Sequence, residues 1–410
     1  MISPRRRCCE YPTRRAALLL LPLLAAAALP VFPAAYAHKR DVLPDYVPDG
    51  DTLTRAAKDA VVELLPDGFA VVAPEPFAEP QPATDSRYGW HFSRAVYIYA
   101  PPRPGEARGL FRRVVVHHEP EARANALNVA RLIARLQRLH RQHLRRDTQF
   151  YRDADIAHVW LAPEKPGNGT AGGETHDNQM YIFATGTFKR TALEWTRTVV
   201  HEWGHVTLPA ARGYTEPEND AAGYLGERLY LKWLYEEASR KGAPANDGTA
   251  LDDLTLYYRR QIAPLMARFR TPESGPYAKT LSGNFTENMD YYIGMALAFD
   301  NTFGSALLGR AIFSIDGNKP QDLRAAMEST LADIPSFTVS LPGWVPLARG
   351  RYSLTTEKGS SGSIALSDRP PLAVRGGQSS ALRTLLPGWK WTRAASGNIK
   401  TVTLRREAGS

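Results

Sequence analysis

The sequence predicts an α+β protein, and three observations carry that prediction. Short β-prone runs bounded by proline mark the first hundred residues. Apolar residues then recur at helical spacing through most of the stretch from Pro120 to Leu331. After Pro335 the pattern returns to short β-prone runs separated by Gly, Pro and Ser. At 410 residues, with 43% hydrophobic and 23% charged content, the chain is of ordinary globular composition and long enough for two or three domains.

Residues 1–37 read as a secretory signal peptide. Arg5, Arg6, Arg7, Arg14 and Arg15 form a basic start, Ala16 to Leu29 an apolar stretch, and Ala35-Tyr36-Ala37 a small-residue cleavage pattern. Pro22 interrupts the apolar run, which is shorter than the roughly 20 residues a membrane span needs. The protein is therefore expected to be secreted. Without this segment the formal net charge falls from +9 to +5. A charge of that size gives no reason to expect a nucleic acid or, once the signal is removed, a membrane as partner. Cys8 and Cys9, the chain's two cysteines, also lie in the segment. The mature protein should then have no disulfides, thiol nucleophiles or thiolate metal sites, and a domain of this size can do without cross-links. Lys39-Arg40 follows the expected cut as a dibasic pair. Asn168-Gly169-Thr170 and Asn284-Phe285-Thr286 match the glycosylation acceptor pattern.

Residues 38–110 form a proline-rich, β-containing region, with a helix-like stretch at Leu53 to Leu65 and strand-like runs at Phe69 to Ala73 and Ala95 to Ala100. Residues 111–335 are expected to form the central domain. It begins with a strand at Phe111 to His117 and a helix from Pro120 to about Arg146. Leu127, Ala130, Leu132, Ile133, Leu136 and Leu139 give that helix a buried face, and its arginines a solvated one. A strand at Ile156 to Leu161, a glycine-rich loop at Pro166 to Gly173 and a strand at Gln179 to Ala184 follow. Next come a helix from about Thr191 to Thr207, stopped by Pro209, and after a Gly/Pro loop a helix from about Asn219 to Ser239. Further helices are expected at Leu251 to Arg268, Glu287 to Leu297, Gly304 to Ile315 and Pro320 to Leu331. Residues 336–410 form a small β region, in which Leu341-Pro342-Gly343-Trp344 recurs as Leu386-Pro387-Gly388-Trp389, a hint of a duplicated unit.

His201-Glu202-Trp203-Gly204-His205 is an HExxH pattern, and its spacing has a physical reason. Residues four apart share a helix face, so two imidazoles can take two corners of a zinc tetrahedron. Glu202 is one residue round from His201, where its carboxylate can serve a zinc-bound water as general base without binding the metal. Zinc brings the pKa of such a water to about 7, and peptide hydrolysis then needs no covalent intermediate. The uncharged neighbours Val199, Val200, Trp203, Gly204 and Val206 suit a helix buried around its metal face.

Over roughly residues 150 to 240 the sequence resembles the zincin metallopeptidases, which implies a zincin-like catalytic domain and Zn2+ as cofactor. It also implies a strand along the cleft that holds an extended peptide or protein substrate, a place the Gln179 to Ala184 run can fill. Metzincins continue as HExxHxxGxxH, but Leu208 and Ala211 stand at the glycine and histidine places. The resemblance is closer to the gluzincins, which take a glutamate from a following helix. Glu227, twenty-two residues beyond His205, fits best as third ligand, on a face with Gly223, Tyr224, Leu231 and Leu234. Asp220 competes, and can alternatively support a ligand histidine or cap the helix; Glu218 and acids further along take what remains. Leu231 replaces the aspartate that the thermolysin pattern places four residues after the glutamate, so support for the histidines is expected from Asp220 or from Glu287 to Asp290. Tyr214, Tyr224, Tyr291 and Tyr292 are candidates for the oxyanion donor, Tyr214 and Tyr224 foremost.

Two other readings follow from the same residues. Peptide deformylases also carry HExxH but use a cysteine ligand, which the mature chain lacks. A binding protein on an inactive zincin scaffold would use Trp344, Trp389 and Trp391 in the C-terminal β region to contact carbohydrate or protein; the intact Glu202 argues against it.

Overall fold

The protein is described from a computed structural model. The described residues are 42–43, 60–74, 83–106, 110–150, 154–162, 172–183, 192–214, 218–241, 249–269, 271–272, 286–384 and 388–407. The expected signal segment, Lys39-Arg40, Asn168-Gly169-Thr170 and the asparagine of Asn284-Phe285-Thr286 lie outside them.

The architecture is mixed α and β, with three larger sheets and a set of helices. The first sheet uses β1 (Val42–Leu43), β2 (Ala60–Leu64), β3 (Ala70–Pro74), β6 (Arg94–Ala100), β7 (Leu110–His118), β8 (Ala157–Ala162), β9 (Gly172–His176) and β10 (Gln179–Phe183). Its order is β2-β3-β6-β7-β8-β10-β9, with β1 paired to the start of β7. A two-stranded hairpin of β4 (Ala83–Thr84) and β5 (His91–Phe92) precedes β6. β2 replaces the end of the helix expected over Leu53 to Leu65: strand pairing from Ala60↔Pro74 to Leu64↔Ala70 holds Val61 and Val62 extended, overriding the helical spacing. The sheet also runs without a break across residue 110, since β6 pairs with β7 from Arg94↔His118 to Ala100↔Phe111.

The β7–β8 crossover is parallel and carries α1 (Arg123–Leu144), whose apolar stripe packs on β3, β6 and β7. Alternation along the strands sends Val159, Leu161, Met180 and Ile182 into this helical side. Trp160, Tyr181 and Phe183 point to the opposite face, where Phe92, Tyr88 and Trp90 meet them. β8 and β10 are parallel, whereas β9 runs antiparallel to β10 and is the edge strand among the described residues. The strand beside the cleft is thus β9, formed partly from the segment expected to be a glycine-rich loop, and β10 lies one strand inside it.

α2 (Ala192–Thr207) packs against β9 and β10, and α3 (Ala222–Lys241) packs against α2. Two glycines set that crossing. A Cβ on Gly204 would come within 2.6 Å of the Ala222 carbonyl oxygen, and one on Gly226 would overlap the Gly204 backbone. The rest of the helical core comprises α4 (Leu251–Tyr257), continued through a π-turn into α5 (Ala263–Phe269), then α6 (Thr286–Phe303), α7 (Ser305–Ile312) and α8 (Pro320–Ala332). Fully buried Trp203, Trp233, Tyr230, Tyr292 and Phe299 fill it.

The C-terminal region is a sandwich of two four-stranded antiparallel sheets. One is β11 (Ser336–Ser340), β18 (Thr401–Arg406), β13 (Gly350–Thr356) and β16 (Ser380–Thr384). The other is β12 (Gly343–Leu347), β17 (Gly388–Gly397), β14 (Ser361–Leu366) and β15 (Arg369–Arg375). Val339, Leu354, Leu404, Val345 and Ile364 form its inner layer. Gly343 and Gly388, from the two Leu-Pro-Gly-Trp repeats, begin β12 and β17, which pair with each other. The tryptophans that the rival binding reading would turn to a ligand, and that more often complete a β core, join this sandwich to the helices. Trp389 is buried against Phe269 and Phe299, and Trp344, edge-on to Trp391, donates its indole N–H to the Thr271 carbonyl. Residues 41–410 form one compact unit.

Candidate metal centre

His201 and His205 lie one turn apart on α2, with ring centroids 5.1 Å apart. After Thr207 the chain turns through Leu208, whose N–H bonds the Gly204 carbonyl, and pairs with itself: Arg212 bridges Asp220, and Ala221 N–H donates to the Ala211 carbonyl. This closure returns Glu218 over the histidines. Its Oε1 lies 2.7 Å from His201 Nε2 and its Oε2 3.0 Å from His205 Nε2. Ligand atoms of His201, His205 and Glu218 all lie within 4.8 Å of one another.

The two other acids stand behind the imidazoles. Glu227 Oε2 is 3.2 Å from His201 Nδ1, and Asp220 Oδ1 is 3.4 Å from His205 Nδ1. The structure therefore places Glu218, not the expected Glu227, on the shared Nε2 side. The glycine crossing lays the start of α3 against α2, so Glu227 reaches His201 from the side. Its remaining oxygen is taken by Arg197 Nε at 2.7 Å, Arg228 Nη1 at 2.7 Å and Tyr257 OH at 2.5 Å. Asp220 does two things at once, since it also accepts the Ala222 N–H at the start of α3. Asp290, from the stretch expected to offer such support, pairs with Arg268.

Glu202 is buried next to the histidines. Thr175 on β9 donates to its Oε2 at 2.7 Å, and Gly173 leaves room for it: a Cβ there would lie 2.5 Å from Oε1. Of the tyrosines, Tyr224 stands edge-on to His201 at 4.7 Å, whereas Tyr214 is buried and packs near Tyr292. A cleft of about 900 Å³ runs along β9 and the end of α2; Glu202, His205 and Glu218 line it, with Arg212 at its wall.

The electrostatics tie the cluster together. Burial alone would lower the histidine pKa values, but hydrogen bonds to Glu218 and Glu227 carry His201 up to about 9, and those to Asp220 and Glu218 carry His205 up to about 10. Against the opposing effect of burial, the same contacts hold Glu218 at about 2 and, with Arg228 and Arg197, Glu227 at about 2. Burial pushes the Glu202 carboxyl up, despite the neighbouring imidazoles and Thr175.

The donor set suits a cation. With Nδ1 of each ring directed at a carboxylate, each Nε2 can present its lone pair, and Glu218 turns one carboxylate oxygen toward each Nε2. Gly223 completes the cradle, since a Cβ there would lie 2.6 Å from His201 Nε2 and nearer still to His205 Nε2. Two imidazoles and one carboxylate are a donor set that zinc takes in catalytic sites.

Helical periodicity could rank Glu227 and Asp220 but not Glu218, which sits in a loop. The one available signal was Gly223, a residue without a side chain on the helix face expected to meet the metal.

No protein-family model matches the chain, and no curated protein matches it. Among solved structures it is similar to the crystal structure of Legionella pneumophila aminopeptidase A in complex with aspartic acid, at 9% identity and a TM-score of 0.32, over 73% of this chain and 36% of that one. The chain thus spans about a third of that protein's length. A likeness of this order carries nothing about the site, whose chemistry rests on its own geometry.

Proposed function

We propose that this chain is a secreted zinc-dependent peptidase of the gluzincin-like kind, with His201, His205 and Glu218 as metal ligands and Glu202 as general base. The observation that carries the reading is the convergence of both Nε2 atoms and Glu218 beside a buried glutamate, at the wall of an open cleft. Zinc, when bound, supplies the Lewis acidity that makes a water nucleophilic near neutral pH. Glu202, with its pKa raised by burial, accepts the proton and returns it to the leaving amine. Thr175 fixes which way that carboxylate faces. The antiparallel edge strand β9 offers backbone groups to an extended peptide substrate. Tyr224, whose ring stands edge-on to His201, is our candidate for the donor to a developing oxyanion.

Secretion rests on the signal-like residues 1–37; among the described residues no helix is long and apolar enough to cross a membrane. The test compares metal content and peptide hydrolysis for the wild type, Glu202→Gln and Glu218→Gln. Zinc retained with turnover lost in Glu202→Gln, and both lost in Glu218→Gln, is the expected result. A wild type that takes up no supplied zinc would overturn the reading.

A further inference from the structure

The charge of this chain is divided unevenly. Residues 336–410, the β-sandwich, contain eleven lysines and arginines against three acids, whereas residues 38–335 contain thirty-five against thirty-eight. The moderate net charge thus conceals a strongly basic C-terminal module. On the outer face of its β11-β18-β13-β16 sheet, Arg351 and Arg383 stand directly opposite each other in the β13–β16 register. Arg405 lies on the neighbouring strand, opposite Ser353. All three are exposed. Asp368 pairs with Arg369 and Lys390 on the other sheet, away from these three exposed guanidiniums.

Like charges directly opposite on neighbouring strands destabilise a sheet. The Arg351–Arg383 pairing therefore has no account in folding, and an anionic ligand bridging the two would supply one. Beside them a row of hydroxyls, Thr338, Thr403 and Thr355, crosses three strands in register, with Thr338 and Thr403 hydrogen-bonded at 2.7 Å.

We propose that this face binds an acidic, carboxylate-bearing polysaccharide. Guanidinium forks match carboxylates, and a flat row of hydroxyls can both donate to and accept from sugar hydroxyls. Two other polyanions fit less well. Single-stranded nucleic acid is held by aromatic side chains on which bases stack, and a lipid surface by apolar ones that enter it. The large apolar side chains exposed among the described residues are Leu64 and Leu256, neither of them on the sandwich. This inference does not rest on the metal site, and its test needs no catalysis.

The full chain, with and without chelator, is passed over immobilised polygalacturonate and over neutral dextran, and its binding to soluble polygalacturonate is titrated. Arg351→Ala/Arg383→Ala is compared with a control of equal charge loss, Arg259→Ala/Arg260→Ala, on an exposed helical turn. Expected are retention on polygalacturonate but not dextran, at least tenfold weaker binding for the sandwich double variant, and under twofold change for the control. The double variant should melt no lower than wild type, because a repulsive pair has been removed. Equal losses in the two variants would reduce the effect to net charge and overturn the proposal. Tighter binding to single-stranded DNA or to phosphatidylserine vesicles than to polygalacturonate would overturn it in favour of those partners.

Discussion

Gly223→Ala tests the metal centre with one carbon. Gly223 lies in the first turn of α3 with an ordinary negative φ, so alanine itself does not strain the backbone and by helix propensity adds up to about 1 kcal/mol of stability. Its Cβ, however, would fall 2.6 Å from His201 Nε2 and 2.7 Å from His205 Cδ2, inside van der Waals contact. Zinc bonds imidazole nitrogen at about 2.0–2.1 Å, so the methyl would sit where a metal held by both rings belongs. Either the rings swing aside by about 1 Å or the metal is excluded. Disturbing groups that merely orient ligands costs 10–100-fold in affinity, so displacement of two ligands should cost at least about 100-fold, or ~2.8 kcal/mol. The assay is zinc affinity by chelator competition, with thermal melting in chelator as the folding control. A variant that melts like the wild type yet binds zinc within threefold of it would refute the cradle.

Other predictions follow from the same geometry. Glu218→Gln should abolish stoichiometric zinc by mass spectrometry, whereas Glu227→Gln should weaken affinity by about 10–100-fold without abolishing it, because Glu227 orients His201 from behind; the reverse ranking would restore Glu227 as ligand. With His201 raised to about 9 and His205 to about 10, both rings are protonated in the metal-free protein at pH 7 and must lose their protons on binding. Zinc uptake should release close to two protons at pH 7, and affinity should rise with pH up to about 10; calorimetry in buffers of different ionisation enthalpy measures this, and a release below about half a proton contradicts it. Glu237, buried between α1 and α3, takes Arg138, Arg135 and Lys241. Burial opposes but these cations prevail, holding it at about 2. A carboxylate depressed from about 4.3 stabilises the fold fully above that pH and progressively less as pH falls toward 2, so Glu237→Gln should cost about 3 kcal/mol in urea unfolding at pH 7 and much less at pH 2.5.

What could be read from the chain depended on whether the cause was local. His201, Glu202 and His205 were legible because helix geometry alone puts residues four apart on one face. The helices from α1 to α8 followed for the same reason, since apolar spacing and prolines are properties of neighbouring residues. Pairing between distant segments decided the rest. β9 became an edge strand because β10 offered it a partner, although its own glycine-rich residues read as loop. Whether Trp344 and Trp389 pack or face a ligand was likewise open until tertiary contacts set Trp389 against Phe269 and Phe299 and Trp344 on the Thr271 carbonyl. That Glu218 rather than Glu227 faces both Nε2 atoms is set by the Arg212–Asp220 bridge and the Gly204–Gly226 crossing, contacts invisible to periodicity. The sequence by itself determined that two imidazoles and a glutamate share one helix. Which carboxylate joins them was decided by tertiary structure, because a loop residue's position is set by where the chain closes, not by its own spacing.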